Sequence, residues 1–192
     1  MVAGGGAPGN SAVPGKLGRV TRFALLLGLA VCAFASDPQP DPFAGSARAR
    51  VLVFARTDCP ITNRYAPELR RIAAGFSRGV EFWMVYPDSA ETAAAIEQHI
   101  AEFHFPGRWT RDPEHALVRR AEATVAPQAA VFDAAGKLVY SGRIDDRYVD
   151  FGKFRPSATV HDLENAIAAA LAGRPVTPAR TRATGCFLAD VK

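Results

Sequence analysis

The sequence predicts a three-layer α/β sandwich: a mixed central sheet with helices on both faces. Three observations point to it. Short apolar runs alternate with helical spacing from residue 50 to about 104, an order that argues for a parallel core. Two further runs, 129–133 and 137–143, are separated by Ala134-Ala135-Gly136 and read as a hairpin, which adds antiparallel strands. The composition, 48% hydrophobic and 22% charged over 192 residues, is that of one ordinary globular domain and argues against a disordered or fibrous chain.

Taken in order, residues 50–55 (RVLVFA) are a continuous apolar run rich in Val and read as a buried strand. Thr57-Asp58-Cys59-Pro60 follows; Asp58 suits an N-cap and Pro60 the first helical turn. The helix is predicted over 60–75, with Pro67 as an internal kink and Gly75 near its end. Residues 80–86 (VEFWMVY) are a second strand, closed by Pro87-Asp88. Ala93, Ile96, Ile100 and Phe103 give 89–104 a helical face, and Asp112-Pro113 opens a further helix to about 122. After the hairpin, 146–158 reads as an irregular loop. Thr159 is expected to cap a helix to about 172, ended by Gly173 with Pro175 beyond. Residues 174–192 show no strong periodicity, and no internal repeat is evident. The expected order is β-α-β-α-α-β-β-α.

The N-terminal segment reads as an address. Residues 1–22 carry Lys16, Arg19 and Arg22 and no acid; 23–35 (FALLLGLAVCAFA) is a 13-residue apolar run. That run is short for a membrane span, which needs about 20 residues, and fits the core of a secretory signal. Ala33-Phe34-Ala35 forms a small-x-small cleavage site ahead of Ser36. An uncleaved membrane anchor and a loose lipoprotein box at Cys32 stay open as other readings, and the long basic stretch also fits a start codon further downstream. The division is then 1–35 signal peptide or anchor, 36–48 linker, 49–173 folded domain and 174–192 tail. The expected location is periplasmic or otherwise extracytoplasmic, with a membrane contact only if the segment is retained.

The formal net charge of +4 is carried mostly by that segment; without it the balance is 20 basic against 19 acidic residues, which gives nucleic-acid binding little support. Cleavage removes Cys32 and leaves Cys59 and Cys186, an even pair in a compartment where disulfides persist. The three cysteines are too few for a disulfide-stapled miniprotein and too far apart for a C-x-x-C zinc site. Cys59 sits at a strand-to-helix junction, where free N–H groups and the helix dipole favour a thiolate. Arg56 adds to that field, Asp58 opposes it if close, and Thr62 is placed to donate to the sulfur. An inert buried thiol is the bland alternative. For Cys186, in Thr184-Gly185-Cys186-Phe187, three readings stand: a resolving cysteine for Cys59, half of a permanent staple, or an unpaired thiol.

Over roughly 48–173 the chain resembles the thioredoxin superfamily, in particular its exported redoxin-like members related to the alkyl hydroperoxide reductase/thiol-specific antioxidant group. The resemblance rests on Phe54 five residues before Cys59, Pro67 eight residues after it, and Val125-Ala126-Pro127 ahead of the strand AAVFD, where that family carries a cis-proline facing its active cysteine. Asp133 and Gly136 follow into the hairpin. The family's C-x-x-C becomes Cys59-Pro60-Ile61-Thr62, so a helix-local dithiol is impossible. Leu52 and Arg56 stand where peroxiredoxins have Pro and Thr/Ser, so the signature of direct peroxide reduction is absent, and the close cysteine pair of the copper chaperones is missing.

The resemblance implies that Cys59 is the nucleophile, with Thr62 and Pro127 shaping its site. It also implies that Arg143-Ile144-Asp145-Asp146-Arg147-Tyr148 rims it. Arg56, Asp145, Asp146, Arg147 and Tyr148 are the candidate partner-binding residues; a salt-bridged surface loop is the competing reading. A segment like Arg143–Tyr148 followed by Phe151-Gly152 and Arg155-Pro156, and a late Gly-Cys, are similar to features of exported redoxin-like proteins. The expected function is thiol–disulfide exchange with a protein thiol or external reductant. A thiol-dependent peroxidase, and a non-catalytic binding or assembly module with a structural disulfide, stay open. No cofactor is called for. His99, His104, His115 and His161 are scattered, and Asp145-Asp146 lacks a nearby His or Cys, so no metal site is expected. Phe82, Trp83, Tyr86, Phe103 and Phe105 read as core.

Overall fold

A computed structural model describes residues 40–188. The expected signal segment, its cleavage site and Cys32 lie outside the described residues. Five strands form the main sheet, in the order β3-β2-β1-β5-β6. These are β1 (Ala49–Phe54), β2 (Val80–Tyr86), β3 (Arg108–Arg111), β5 (Gln128–Asp133) and β6 (Leu138–Gly142). β1, β2 and β3 run parallel; β5 is antiparallel to β1 and β6 to β5. The helices are α1 (Pro60–Gly75), α2 (Ala93–Phe103), α3 (Ala116–Ala121) and α4 (Asp162–Leu171). Among the described residues no helix is long and apolar enough to cross a membrane.

The pleat of β1 divides the core. Val51 and Val53 point to one face with Tyr65, Leu69 and Ile72 of α1, Ile96 of α2 and Leu163 and Ile167 of α4. Leu52 and Phe54 point to the other with Trp83, Phe132 and Val118 of α3. Every residue of β1 is buried, Arg50 included, which is why the run Val51–Phe54 is continuously apolar rather than alternating. Helices therefore cover both faces of a mixed sheet, the architecture the alternation of elements predicts.

Four expectations are corrected. β3 appears in none of the apolar runs: its sequence is RWTR. It is an edge strand held by ladder bonds to β2, with the Arg108 guanidinium 4.3 Å from the Trp83 ring centroid. The helix expected from Asp112 begins only at Ala116, because His115 takes a left-handed conformation and Asp112 reaches forward to accept from the Val118 N–H at 2.8 Å. The loop 146–158 contains a small hairpin, β7 (Tyr148–Asp150) with β8 (Lys153–Phe154). Thr159 does not cap α4, whose N-cap is His161; the Thr159 N–H and hydroxyl both go to the Asp146 carboxylate.

Candidate functional site

The site begins where β1 hands over to α1. Cys59 is the N-cap residue of that helix, in extended conformation with Pro60 following. Asp58, expected to cap, is instead turned outward and gripped by both ends of the Arg56 guanidinium at 2.9 Å. The first-turn N–H groups therefore have no capping oxygen, and the helix end keeps its positive potential for the sulfur. Cys59 itself is 0% exposed.

Three groups converge on its sulfur. The Ala126 carbonyl accepts from Cys59 Sγ at 3.1 Å. Ala126 precedes Pro127, and the peptide between them is cis. The Thr62 hydroxyl, fully buried and with no hydrogen bond of good geometry, lies close enough to stabilise a thiolate, as does its N–H. The third group is Cys186, whose sulfur is 2.7 Å away; both are free thiols. Burial pushes the Cys59 pKa up, but the hydrogen bonds from Cys186 and Thr62 outweigh it and hold the thiol below its ordinary value. Burial, with the hydrogen bond to and charge of Cys59, pushes Cys186 up to about 12. The pair is thus chemically unequal: the proton leaves Cys59 first.

Cys186 arrives by a path the tail's sequence does not reveal. Residues 179–188 form a strap. Ser141 holds the strap at two points: its N–H donates to Ala179 O, and its carbonyl accepts from the Thr181 N–H. The Thr181 hydroxyl meets the Tyr140 hydroxyl at 2.6 Å and accepts from the Arg143 N–H at 3.0 Å. Arg180 clasps Glu122. The strap ends in β9 (Cys186–Phe187), antiparallel to β4 (Val125–Ala126), with Cys186 opposite Ala126. Arg56 donates to the Phe187 carbonyl at 3.2 Å, and Leu188 N–H to Thr124 O at 3.1 Å. Gly185 is needed for the close approach: a Cβ there would stand 2.2 Å from the Ala126 oxygen. The sequence reading names Gly185 and Ala126 only as neighbours of Cys186 and Pro127 and gives neither a role of its own.

Cys59, Thr62, Ala126-Pro127, Cys186 and Arg56 are therefore brought together. The charged loop is organised differently. Asp145 and Asp146 are buried, at 1% and 4% exposure, and face inward. Asp145 accepts from the Tyr65 hydroxyl of α1 at 2.5 Å and from the Arg147 N–H. Asp146 accepts from the Thr159 N–H and hydroxyl and the Val160 N–H, with Arg155 at 3.5 Å; these bonds hold its carboxyl below the usual range. Asp146 is occupied at both oxygens and Asp145 at Oδ1, its Oδ2 being buried without a hydrogen-bond partner, whereas Arg147 and Tyr148 keep partial exposure. Tyr148 packs on Tyr65, with ring centroids 5.3 Å apart. His99, expected as scattered, is buried between the Tyr86 hydroxyl and Asn63 Oδ1. Among the described residues Glu68, His161 and Glu164 have metal-like spacing, but Arg71 is bonded to both glutamates, at 2.7 and 2.6 Å.

No protein-family model and no curated protein matches the chain. Solved structures do resemble it. A hypothetical protein from Sinorhizobium meliloti 1021 is 21% identical with a TM-score of 0.65, covering 80% of this chain and 90% of that one. An uncharacterized conserved protein from Geobacillus kaustophilus is 25% identical with a TM-score of 0.62, covering 74% and 77%. A Chlorobium tepidum protein provisionally assigned as the thiol:disulfide interchange protein DsbE is 20% identical with a TM-score of 0.51, covering 66% and 82%. The fold is thioredoxin-like.

Proposed function

We propose that this chain is an exported thiol–disulfide oxidoreductase in which Cys59 is the nucleophile and Cys186 its redox partner. One observation carries the reading: two sulfurs 127 residues apart in sequence stand 2.7 Å apart at the N-terminus of α1, beside Ala126-Pro127. A disulfide requires about 2.05 Å, so little motion separates the dithiol from the bonded form. The depressed Cys59 pKa supplies the thiolate that exchange requires. The thiol:disulfide interchange assignment of the Chlorobium protein, which shares the fold, is in keeping with this chemistry. Residues 1–35 direct export, 36–48 link, and the partner is a protein thiol or an external reductant. Thr62 and Pro127 shape the sulfur's surroundings. Arg56 steadies the strap, and the Asp145–Tyr148 loop presents Arg147 and Tyr148 to a partner while its two carboxylates hold the loop in place.

The test is catalysed reduction of insulin disulfides by dithiothreitol. Cys59→Ser should abolish the catalysis; unchanged activity sinks the proposal. A second reading has one observation in its favour: Cys59 is 0% exposed, as the cysteine of a structural staple would be. The reduction potential separates the two. A working pair titrates near or above about −200 mV, a staple below about −300 mV.

A further inference from the structure

We infer that the sulfur a partner thiol attacks is Cys186 on the strap, and that Cys59 is the leaving group. This rests on the redox reading above and reassigns where its covalent intermediate sits. Cys59 is 0% exposed, whereas Cys186 keeps partial exposure. The edge of β4, next to Pro127, is already paired with β9, so an extended partner cannot run along it to reach Cys59. Phe187, the residue after Cys186, is 75% exposed, which turns this end of the strap to solvent. Arg56 and Leu188 fasten the strap on the far side of Cys186 and Gly185 presses it onto Ala126, so the cover over Cys59 is built in.

The chemistry fits this direction. In the oxidised protein a partner thiolate bonds to Cys186 Sγ, and the Cys59–Cys186 bond breaks with its electron pair leaving on Cys59. The product is a partner–Cys186 disulfide and a Cys59 thiolate beside the helix end and Thr62. Exchange is faster when the departing thiol is the more acidic one, and here Cys59 is. A second partner thiolate then attacks the partner's own sulfur, giving the partner disulfide, and Cys186 takes a proton from water. Run backwards, the Cys59 thiolate attacks Cys186 Sγ and expels the partner. Cys59 remains the internal nucleophile, and the tail carries the substrate.

The experiment uses the full-length protein oxidised with glutathione disulfide and then freed of it. Sulfite is the first probe, because it leaves a stable S-sulfonate on the sulfur it attacks and a thiol on the other. The released thiol is alkylated and both sites are read by peptide mass mapping. A cysteine-containing peptide, quenched rapidly in acid, is the second probe. The expected result is sulfonate and peptide on Cys186 with the alkyl group on Cys59, in at least tenfold excess over the reverse. The reverse pattern with sulfite overturns this inference and leaves the redox reading intact. A bridge that never forms, or that resists both sulfite and dithiothreitol, overturns both.

Discussion

Replacing Gly185 by alanine tests whether the strap must seat against Ala126 for the two cysteines to bond. The added Cβ would lie 2.2 Å from the Ala126 oxygen and 2.6 Å from its carbonyl carbon, both backbone atoms that cannot rotate aside. Real Cβ contacts do not fall below 3.0 Å, so strap and β4 must separate by about 0.8 Å. Cys186 is the next residue and moves with the strap. The reduced protein tolerates this, since its sulfurs need only touch. The oxidised protein does not, since its bond holds the strap in place. Overpacking of this kind costs about 1–3 kcal/mol. Charged against the oxidised form of a two-electron couple, that raises the reduction potential by roughly 20–65 mV, at 30 mV per 1.4 kcal/mol. The assay is equilibration in glutathione buffers of graded ratio, with reduced and oxidised fractions read by alkylation mass shift. Thermal melts of the reduced forms control for general damage. A potential within about 10 mV of the parent would refute the reasoning.

Two further predictions concern groups that set pKa values. Thr62→Val removes a hydroxyl that favours the Cys59 thiolate while keeping the side chain's shape, so the Cys59 titration, followed by thiolate absorbance near 240 nm in the reduced protein, should move to higher pH. A depressed folded pKa contributes stability that is complete above the unfolded thiol value and lost as pH falls through the folded one; the variant should show less of that gain, and an unmoved titration would contradict the assignment. Asp146→Ala strands the Thr159 and Val160 N–H groups and should lower unfolding stability at pH 7 by about 3 kcal/mol, because hydrogen bonds to a charged acceptor contribute roughly 1.5–3 kcal/mol each. The Asp146 folded pKa is lowered, so its contribution is present above the unfolded value and disappears as pH falls through the folded value. Urea midpoints of parent and variant should therefore converge in acid; a gap that persists at low pH would count against it.

What was legible in the sequence follows from the range over which each feature is encoded. β1, α1 and β2 are written in contiguous residues: an apolar run, a Cys-Pro helix start and a second apolar run. The Ala134–Gly136 turn is equally local. β3 was not legible because Trp109 is the one apolar residue in it and its strand character comes from the neighbouring β2 edge. Thr159 looked like a cap because its chemistry is that of a cap; the Asp146 carboxylate, 13 residues upstream, claimed both of its donors. Asp145 and Asp146 looked like surface charges, and only the folded loop shows Tyr65, Thr159 and Val160 waiting for them. At the site, Cys59 and Pro127 could be picked out from their local contexts. The contact with Cys186 could not, since no periodicity links residues 127 positions apart and the strap's register depends on Gly185 fitting against Ala126.

The length of that separation also bears on how the molecule is made. Translation delivers β1, α1 and all five strands of the main sheet before the strap, so the sheet can assemble while Cys59 still lies open at the end of α1. Only when residues 185–188 arrive is the sulfur covered and its partner supplied. During synthesis there is therefore an interval in which the chain carries Cys59 without Cys186 beside it. When the bond does close, it ties a loop of 127 residues, which the chain-entropy account values at about 5 kcal/mol. That is as large as the whole stability of many domains. The strap thus brings Cys59 its partner and, on oxidation, ties the start of α1 to the segment that follows α4.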